Sequence, residues 1–205
     1  MNTVLKTAVV AIASSLLVGQ SVYSAETYAI DGAHTSIIFG VSHFGYSFTY
    51  GRFNKLSGGY VLDRENPAAA QFQLTISAAS LDTNNQQRDG HLKGPDFFNV
   101  KQFPNITFQS TGVTIEKTEK GEIYNIAGNL TIHGVTRQVI LPAQKLGEGN
   151  GPGRKYRTGF HCQTSLKRSD FGMTNMIPMV GDEIALTVSF EGVRQGGAAA
   201  GSSSK

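Results

Sequence analysis

Apolar and polar side chains alternate with a period of two along several segments of the chain. In residues 71–78, Phe72, Leu74 and Ile76 share one face, and the residues between them are polar. The same alternation recurs at 124–132, 156–166 and 184–190, and more weakly at 35–43, 48–62, 106–116 and 138–146. This period is typical of strands with one face against an apolar environment. The pattern predicts about eight strands, with 48–62 bent at Gly58-Gly59.

Short turn sequences separate neighbouring predicted strands. The turns are EKGE at 119–122 and HGVT at 133–136. They are too short for a parallel crossover, which takes about a dozen residues, so the strands are expected to be antiparallel. Residues 80–104 lack alternation and are expected to hold one or two short helices, around 84–93 and 96–102.

The alternation and the short turns predict an all-β fold. Among all-β folds, an eight-stranded antiparallel barrel accounts best for them. Closing the sheet hides every apolar face and leaves no exposed edge. A two-sheet sandwich satisfies the same alternation, as does a small outer-membrane barrel whose apolar faces point to lipid. The absence of tryptophan, the non-β segment at 80–104 and the polar tail favour a protein without stable membrane insertion.

The two ends of the chain differ in composition from the part between them. Residues 1–25 combine Lys6, an apolar stretch at 8–18 and small residues near Ser24 and Ala25. This order is typical of a secretory signal cleaved after Ser24 or Ala25, and the apolar stretch is too short to span a bilayer. An uncleaved anchor is the alternative. Residues 195–205 are mostly Gly, Ala and Ser and are predicted to be disordered. The barrel domain is therefore expected at 26–194.

Composition and charge exclude several classes of function. With 40% hydrophobic and 16% charged residues, the chain can bury a core. Its formal net charge is only +3 and no block of five or six like charges occurs, which argues against a nucleic-acid partner. A single cysteine excludes an internal disulfide and a thiolate zinc cluster.

Candidate metal-binding and catalytic residues are scattered singly. The five histidines, none at a metal-ligand spacing, are His34, His43, His91, His133 and His161. We therefore predict no metal site and no cofactor. The sequence also lacks a Gly-x-Ser-x-Gly nucleophile elbow. An acid–base pair drawn from isolated carboxylates remains the enzymatic alternative; the candidates are Asp31, Asp89, Asp96 and Asp170.

Four motifs make the chain recognisable. They are DGAHTSIIF at 31–39, RDGHLKGPDFFNV at 88–100 with FP at 103–104, LTIHGVTR at 130–137 and RSDFGM at 168–173. In this order and at these separations they closely resemble the YceI-like family. The resemblance runs from about residue 26 to residue 194.

This resemblance implies a fold, a location and a function. It implies a lipocalin-like eight-stranded barrel, exported to the periplasm, that holds a long polyisoprenoid chain in its interior without catalytic activity. An isoprenoid quinone-like lipid is an equivalent ligand, and the resemblance also suggests a homodimer. The alternative is an enzyme that acts on an isoprenoid lipid with polar residues at the barrel mouth.

The apolar strand faces supply the candidate ligand contacts, since a pocket for such a chain needs an apolar wall. These candidates are Phe72, Ile76, Phe108, Tyr124, Leu130, Phe160, Leu186 and Phe190. The small residues Gly128, Ala78 and Cys162 on the same faces are expected to leave room for a ligand. Plain core packing is the alternative for each position.

Polar residues in two of the motifs are candidates for a ligand's head group. Those next to Phe97-Phe98 are Arg88, His91 and Asp96, and those of the later motif are Arg168 and Asp170. The structural alternatives are that Asp96 caps a short helix while the two phenylalanines plug one barrel end. Arg168 and Asp170 are correspondingly expected to form an ion pair at the rim.

Overall fold

A computed structural model describes residues 25–119 and 121–196, most of which lie in antiparallel strands. The strands are β1 Glu26–Ile30, β2 Ser36–His43, β3 Ser47–Phe53, β4 Leu56–Leu62, β5 Gln71–Ser77, β6 Leu81–Asp82, β7 Asn105–Thr118, β8 Gly121–Ile132, β9 Val135–Asn150, β10 Tyr156–Lys167 and β11 Val180–Arg194. One short helix, α1, spans Gln86–Leu92.

The sheet closes on itself. Strands pair in the order β1-β4-β5-β7-β8-β9-β10-β11, and β11 pairs with β1 to complete a ring of eight. β2 continues β1 along the same edge of β11, since Ile30 lies opposite Gly192 and Ser36 lies opposite Ser189. β3 in turn pairs with β2, and β4 with β1. The eight-stranded antiparallel barrel is confirmed, and the sandwich is excluded by this closure.

Two of the barrel's strands are interrupted. A 3-10 turn at Gly32–His34, where the Asp31 side chain accepts from Ala33 N, separates β1 from β2. β3 and β4 are separated at residues 54–55, so the predicted bend at Gly58-Gly59 is misplaced. Those two glycines lie within β4, where neighbouring strands come too close for a side chain. A Cβ at Gly58 would lie 2.2 Å from the carbonyl oxygen of Gln73.

The apolar side chains of the alternating strands point into the barrel. Phe72, Phe108, Leu130 and Phe160 are all less than a tenth exposed. The polar residues between them face outward and are more exposed, as in Gln71 and Gln73 of β5. This is the reverse of an outer-membrane barrel, whose apolar side chains face outward.

The segment between β6 and β7 crosses one end of the barrel. It contains α1, whose N-cap Asn85 accepts a hydrogen bond from the backbone N–H of Arg88. The second helix expected at 96–102 does not form. Turns replace it, closed by bonds such as Phe98 N to Leu92 O at 2.9 Å and Gln102 N to Asn99 O at 2.9 Å.

Within the part of the chain that the structure describes, no helix has the length and apolarity required to cross a bilayer. Of the predicted signal at 1–25, only Ala25 belongs to the described residues. Of the predicted tail at 195–205, only residues 195–196 do.

Candidate functional site

The barrel encloses a cavity of about 400 Å³. Its wall is built mainly by the inward-facing positions of β2, β3, β5, β7, β8, β9, β10 and β11. This volume lies within the range of small-molecule sites, which are mostly apolar with a few polar groups. The geometry therefore provides a pocket for an apolar ligand rather than a solidly packed interior.

An aromatic cluster fills the end of the barrel where β1 and the end of β11 meet. The Tyr60 ring stacks on Tyr28 at a centroid distance of 5.0 Å and on Phe72 at 5.4 Å. Its hydroxyl donates to the carbonyl oxygen of Thr158 at 2.9 Å, and burial raises the pKa of Tyr60 above its ordinary value. The Tyr60 hydroxyl is therefore neutral and hydrogen-bonded. We call this closed, aromatic end of the barrel the floor of the cavity.

Two predicted ligand contacts belong to this floor and not to the cavity wall. Phe160 is fully buried and packs against the Tyr124 ring at 5.3 Å and the Phe190 ring at 5.1 Å. Neither Phe160 nor Tyr124 lines the cavity. The six predicted contacts that do line the cavity are Phe72, Ile76, Phe108, Leu130, Leu186 and Phe190.

The room expected at small residues is only partly present. A Cβ at Gly128 would lie 2.5 Å from Cζ of Phe108, so the Phe108 ring already fills that space. Ala78 is buried in a 3-10 turn after β5. Cys162 lines the cavity, and burial raises the pKa of its thiol to about 11. At neutral pH the thiol is protonated and adds no charge to the wall.

The opposite end of the cavity, called the mouth here, is bordered by three segments. The β2–β3 hairpin contributes His43 and Thr49, and the α1 segment contributes Arg88 and His91. The connection between β10 and β11 contributes Arg168, together with apolar residues up to Val180. Because Arg88 and His91 are exposed, the cavity reaches solvent here.

Arg168 anchors the connection between β10 and β11. Its Nε donates to Gly181 O at 2.9 Å, Nη1 to Met173 O at 2.8 Å and Nη2 to Val180 O at 2.9 Å. The residue is only 6% exposed, and this burial lowers the pKa of the guanidinium. Three carbonyl oxygens therefore hold a positive charge in the cavity wall.

The expected ion pair between Arg168 and Asp170 is not present among the described residues. Residues 168–171 form a 3-10 turn and not an extended segment, so positions two apart point in different directions. The acid that sequence reasoning missed is Asp182, which accepts from Ser169 N at 2.9 Å and from the Ser169 hydroxyl at 2.7 Å. Asp170 lies outside the cavity wall.

Asp96 also lies outside the wall. Its carboxylate is 3.5 Å from Nε2 of His91, and both side chains are more than half exposed. It caps no helix, because the chain forms turns there. Phe97 and Phe98, by contrast, line the cavity near α1.

Several residues of the wall were not among the candidate ligand contacts predicted from the sequence. Met173 and Met176 line the mouth from an irregular connection that has no periodicity. Phe39 and His43 share the inner face of β2, and the period of two in that strand was the available signal for them.

The described residues bring potential metal ligands together at one place, near the floor. Asp31, His34 and Glu191 have ligand atoms within 4.8 Å of one another. A guanidinium already occupies this group, since Arg157 Nη1 lies 2.7 Å from Asp31 Oδ2 and 3.1 Å from Glu191 Oε2. The cluster is an ion-pair network that links β10, β11 and the turn after β1.

Known proteins share this architecture. The chain is 41% identical over 190 residues to a UPF0312 protein of Pseudomonas paraeruginosa. This alignment covers 92% of this chain and 97% of the relative. The crystal structure of Burkholderia cenocepacia BcnA superposes with a TM-score of 0.69 at 26% identity, covering 79% of this chain and 98% of BcnA.

A third similarity concerns the fold alone. A domain of Saccharophagus degradans, described as a polyisoprenoid binding domain implicated in plant cell wall breakdown, has a TM-score of 0.62 at 18% identity. The superposition covers 82% of this chain and 98% of that domain. The model of the YceI-like domain matches residues 28–192, almost the whole barrel, and the chain therefore belongs to the YceI-like family.

Proposed function

We propose that this protein is an exported binding protein that holds a long apolar chain inside the barrel. The candidate ligand is a polyisoprenoid or an isoprenoid quinone-like lipid, held for storage, transport or sensing. The observation that carries the proposal is the cavity of about 400 Å³, closed by an aromatic floor and walled by apolar side chains. The description of the Saccharophagus degradans domain as polyisoprenoid binding supports the ligand class.

The free energy of binding would come from removing the ligand's apolar surface from water. Transfer of such surface contributes about 25 cal/mol per Å². A branched C5 repeat is apolar along its length, and it would meet Ile76, Leu130 and Leu186 along the wall. The barrel is thus suited to a chain that enters at the mouth and ends at the floor.

Export is part of the same proposal. Residues 1–25 would be the signal, and β1 begins at Glu26. Cleavage after Ser24 or Ala25 would therefore leave every strand of the barrel intact. The periplasm is the expected compartment. A homodimer remains a prediction, which sedimentation velocity on the mature protein would measure.

Binding is favoured over catalysis by where the carboxylates lie. Two of the four acids considered for an acid–base pair are engaged elsewhere: Asp31 with Arg157, and Asp89 with the Thr83 hydroxyl at 2.6 Å. None of the described Asp or Glu residues is part of the cavity wall. The enzymatic alternative would require turnover of an isoprenoid lipid that is lost in Asp96→Ala or His91→Ala.

Organic extraction tests the proposal directly. Protein purified from its native host should release an apolar chain detectable by mass spectrometry, and the stripped protein should take up an added isoprenoid. Extracts that stay empty over several preparations, together with no uptake of added isoprenoid, would refute the proposal.

A further inference from the structure

A second pocket lies on the far side of the floor from the apolar cavity. Its volume is about 200 Å³, which is room for about six water molecules or for a small organic ion. Two rings of the floor, Tyr28 and Tyr124, border it, and none of its described lining residues also lines the cavity. We call this space the polar pocket, because six charged side chains line it: Glu26, Asp63, Arg64, Glu122, Lys145 and Glu148.

The polar pocket continues the inward-facing side of the strands beyond the floor. Glu122 lies two residues before Tyr124 on β8, and Glu26 lies two residues before Tyr28 on β1. Side chains two apart on a strand share a face, so both carboxylates are on the face that carries the aromatic rings. The inward positions of the barrel are otherwise mostly apolar. Charges at inward positions depart from the pattern that builds the core, and such departures are expected at functional sites.

Ion pairs compensate two of the four carboxylates. Arg64 lies between Glu26 and Glu148, at nitrogen–oxygen distances of 3.6 Å and 3.4 Å. Lys145 Nζ is 3.2 Å from Glu148 Oε2, and Arg194 Nη1 is 2.7 Å from Glu26 Oε1. Glu26 and Glu148 therefore each have two cationic partners.

The other two carboxylates, those of Asp63 and Glu122, are not compensated in this way. Over residues 25–119 and 121–196, no cationic nitrogen lies within 4.0 Å of either. Oδ1 of Asp63 accepts from the backbone N–H groups of Glu65 and Asn66, at 2.9 Å and 3.0 Å. These bonds hold the carboxylate without cancelling its charge. The polar pocket therefore carries an excess of negative charge.

A buried hydroxyl at the polar pocket has no partner. Tyr124 is only 4% exposed, and its hydroxyl makes no hydrogen bond with any described residue. Burial, followed by the charges of Glu122 and Glu148, raises the pKa of Tyr124 to about 12. The hydroxyl is therefore protonated at neutral pH, and its oxygen can still accept a hydrogen bond. Buried polar groups are normally hydrogen-bonded, so this oxygen is available to a donor that enters the pocket.

The spacing of the carboxylates favours an extended organic ion over a metal ion. A metal site draws at least three ligand atoms close together. In the described part of the chain, three such His or carboxylate atoms within 4.8 Å of one another occur at Asp31, His34 and Glu191, and not in the polar pocket. Ammonium groups, by contrast, pair with separate carboxylates and donate to hydroxyl oxygens.

We propose that the polar pocket binds a small organic dication of the aliphatic diamine class. One ammonium group pairs with Glu122 and donates to the Tyr124 hydroxyl oxygen, and the other pairs with Asp63. Tyr28 and Leu62 provide apolar surface for the methylene chain between them. The site is separate from the cavity and does not depend on the apolar ligand proposed above.

Matched four-carbon compounds test the preference for a dication. The mature protein would be titrated calorimetrically with 1,4-diaminobutane, 1,4-butanediol and succinate, whose ends are positive, neutral and negative. We expect the diamine to bind about tenfold or more tightly than the diol, because only the diamine makes charge-assisted hydrogen bonds, and succinate to show no binding. Added salt should weaken the binding of the diamine, since it screens the ion pairs.

Variants assign the binding to the polar pocket. Glu122→Gln keeps the shape of the side chain and should weaken diamine binding about tenfold, and Tyr124→Phe removes only the hydroxyl and should weaken it about threefold or more. Glu116→Gln is the matched control, because it removes the same charge from an exposed position of β7 opposite Ile123. Its affinity for the diamine should stay within about twofold of the wild type. Melting temperatures verify that each variant is folded.

The outcomes distinguish this site from the cavity. Equal affinity for diamine and diol, or no binding of the diamine, overturns the proposal. Diamine binding that is unchanged in folded Glu122→Gln and Tyr124→Phe overturns the assignment to the polar pocket. Loading the cavity with isoprenoid should leave diamine affinity unchanged, and displacement of the diamine by isoprenoid would place it in the cavity instead. Failure of isoprenoid binding contradicts only the proposed function, since the diamine titration does not require it.

Discussion

Val188 faces the inside of the barrel, yet part of its surface stays accessible because it borders the cavity. It lies between Cys162 of β10 and Ile37 of β2, both of which are almost completely buried. An inward side chain in a packed core would have no accessible surface. Cys162 and Ile37 border the cavity as well, so among these three neighbouring wall positions Val188 is the one whose side chain is least covered.

Val188→Phe is expected to weaken isoprenoid binding by about tenfold or more, equivalent to about 1.4 kcal/mol. The added ring would occupy cavity volume that the ligand needs. Titration of the stripped protein with geranylgeraniol measures the effect. The matched control is Ala185→Phe on the exposed outer face of the same strand. Unchanged affinity in Val188→Phe would mean that the ligand does not occupy this part of the cavity.

Asp31 is a residue whose contribution to the stability of the fold is electrostatic. The Arg157 guanidinium, followed by His34, holds the pKa of the Asp31 carboxyl well below its ordinary value of 3.8. A carboxyl with a lowered pKa in the folded state stabilises the protein above its unfolded-state pKa. That contribution is lost as the pH falls through the folded-state pKa.

Asp31→Asn should therefore lower the melting temperature at pH 7, and the difference from the wild type should shrink on acidification below about pH 4. The amide can still accept from Ala33 N, so the turn at Gly32–His34 is retained. Thermal melts over a pH series provide the measurement. A difference that stays constant down to the acid limit would contradict the electrostatic explanation.

At the scale of elements, the β8–β9 hairpin shows how a turn sets strand pairing. His133 and Gly134 have φ angles of 52° and 74°, both positive as in a type I′ turn. Ile132 pairs with Val135 directly at the turn, so this loop sets the register of two long strands. A Cβ at Gly134 would also lie 2.4 Å from Cε1 of Phe103.

Gly134→Ala is expected to destabilise the fold by about 1–3 kcal/mol, the usual cost of a strained backbone position. The contact with Phe103 adds to the effect. Chemical denaturation measures the free energy of unfolding. Gly147→Ala in β9 is the control, since no atom lies within 4 Å of its Cβ position. Equal stability of both variants would show that the turn tolerates a side chain.

The elements that the sequence predicted less well are those shaped by distant neighbours. Alternation located the long strands, and its absence over residues 80–104 located α1, because these patterns are local. β1 is only five residues long, too short for a clear period. Gly59 was interpreted as a bend, whereas its Cβ position lies 2.4 Å from the Tyr28 carbonyl oxygen on the neighbouring strand.

At the scale of the whole molecule, β11 closes the barrel. Along one edge it pairs with β10 over most of its length, and along the other with β2 and then β1. Tyr28 lies opposite Arg194, so the first and last strands meet. This closure converts eight half-apolar strands into one enclosed interior.

Removal of a bound ligand should lower the melting temperature of the whole barrel, since a ligand that binds only the folded state stabilises it. The stabilisation is about 2.7 kcal/mol at a free ligand concentration of 100 times Kd. Calorimetry before and after extraction, and again after isoprenoid is added back, provides the test. An identical melting temperature for loaded and stripped protein would contradict ligand occupancy of the core.

The positions of the long strands, their antiparallel order and the side chains that share a face follow from the amino-acid sequence alone. These features follow from a side-chain period of two and from turns of a few residues, both of which are local. Two features could not be predicted in this way: Phe160 packs in the floor while Leu186 faces the cavity, and Arg168 bonds to carbonyl oxygens and not to Asp170. Voids and partners depend on how strands far apart in the chain meet, and no local pattern records that.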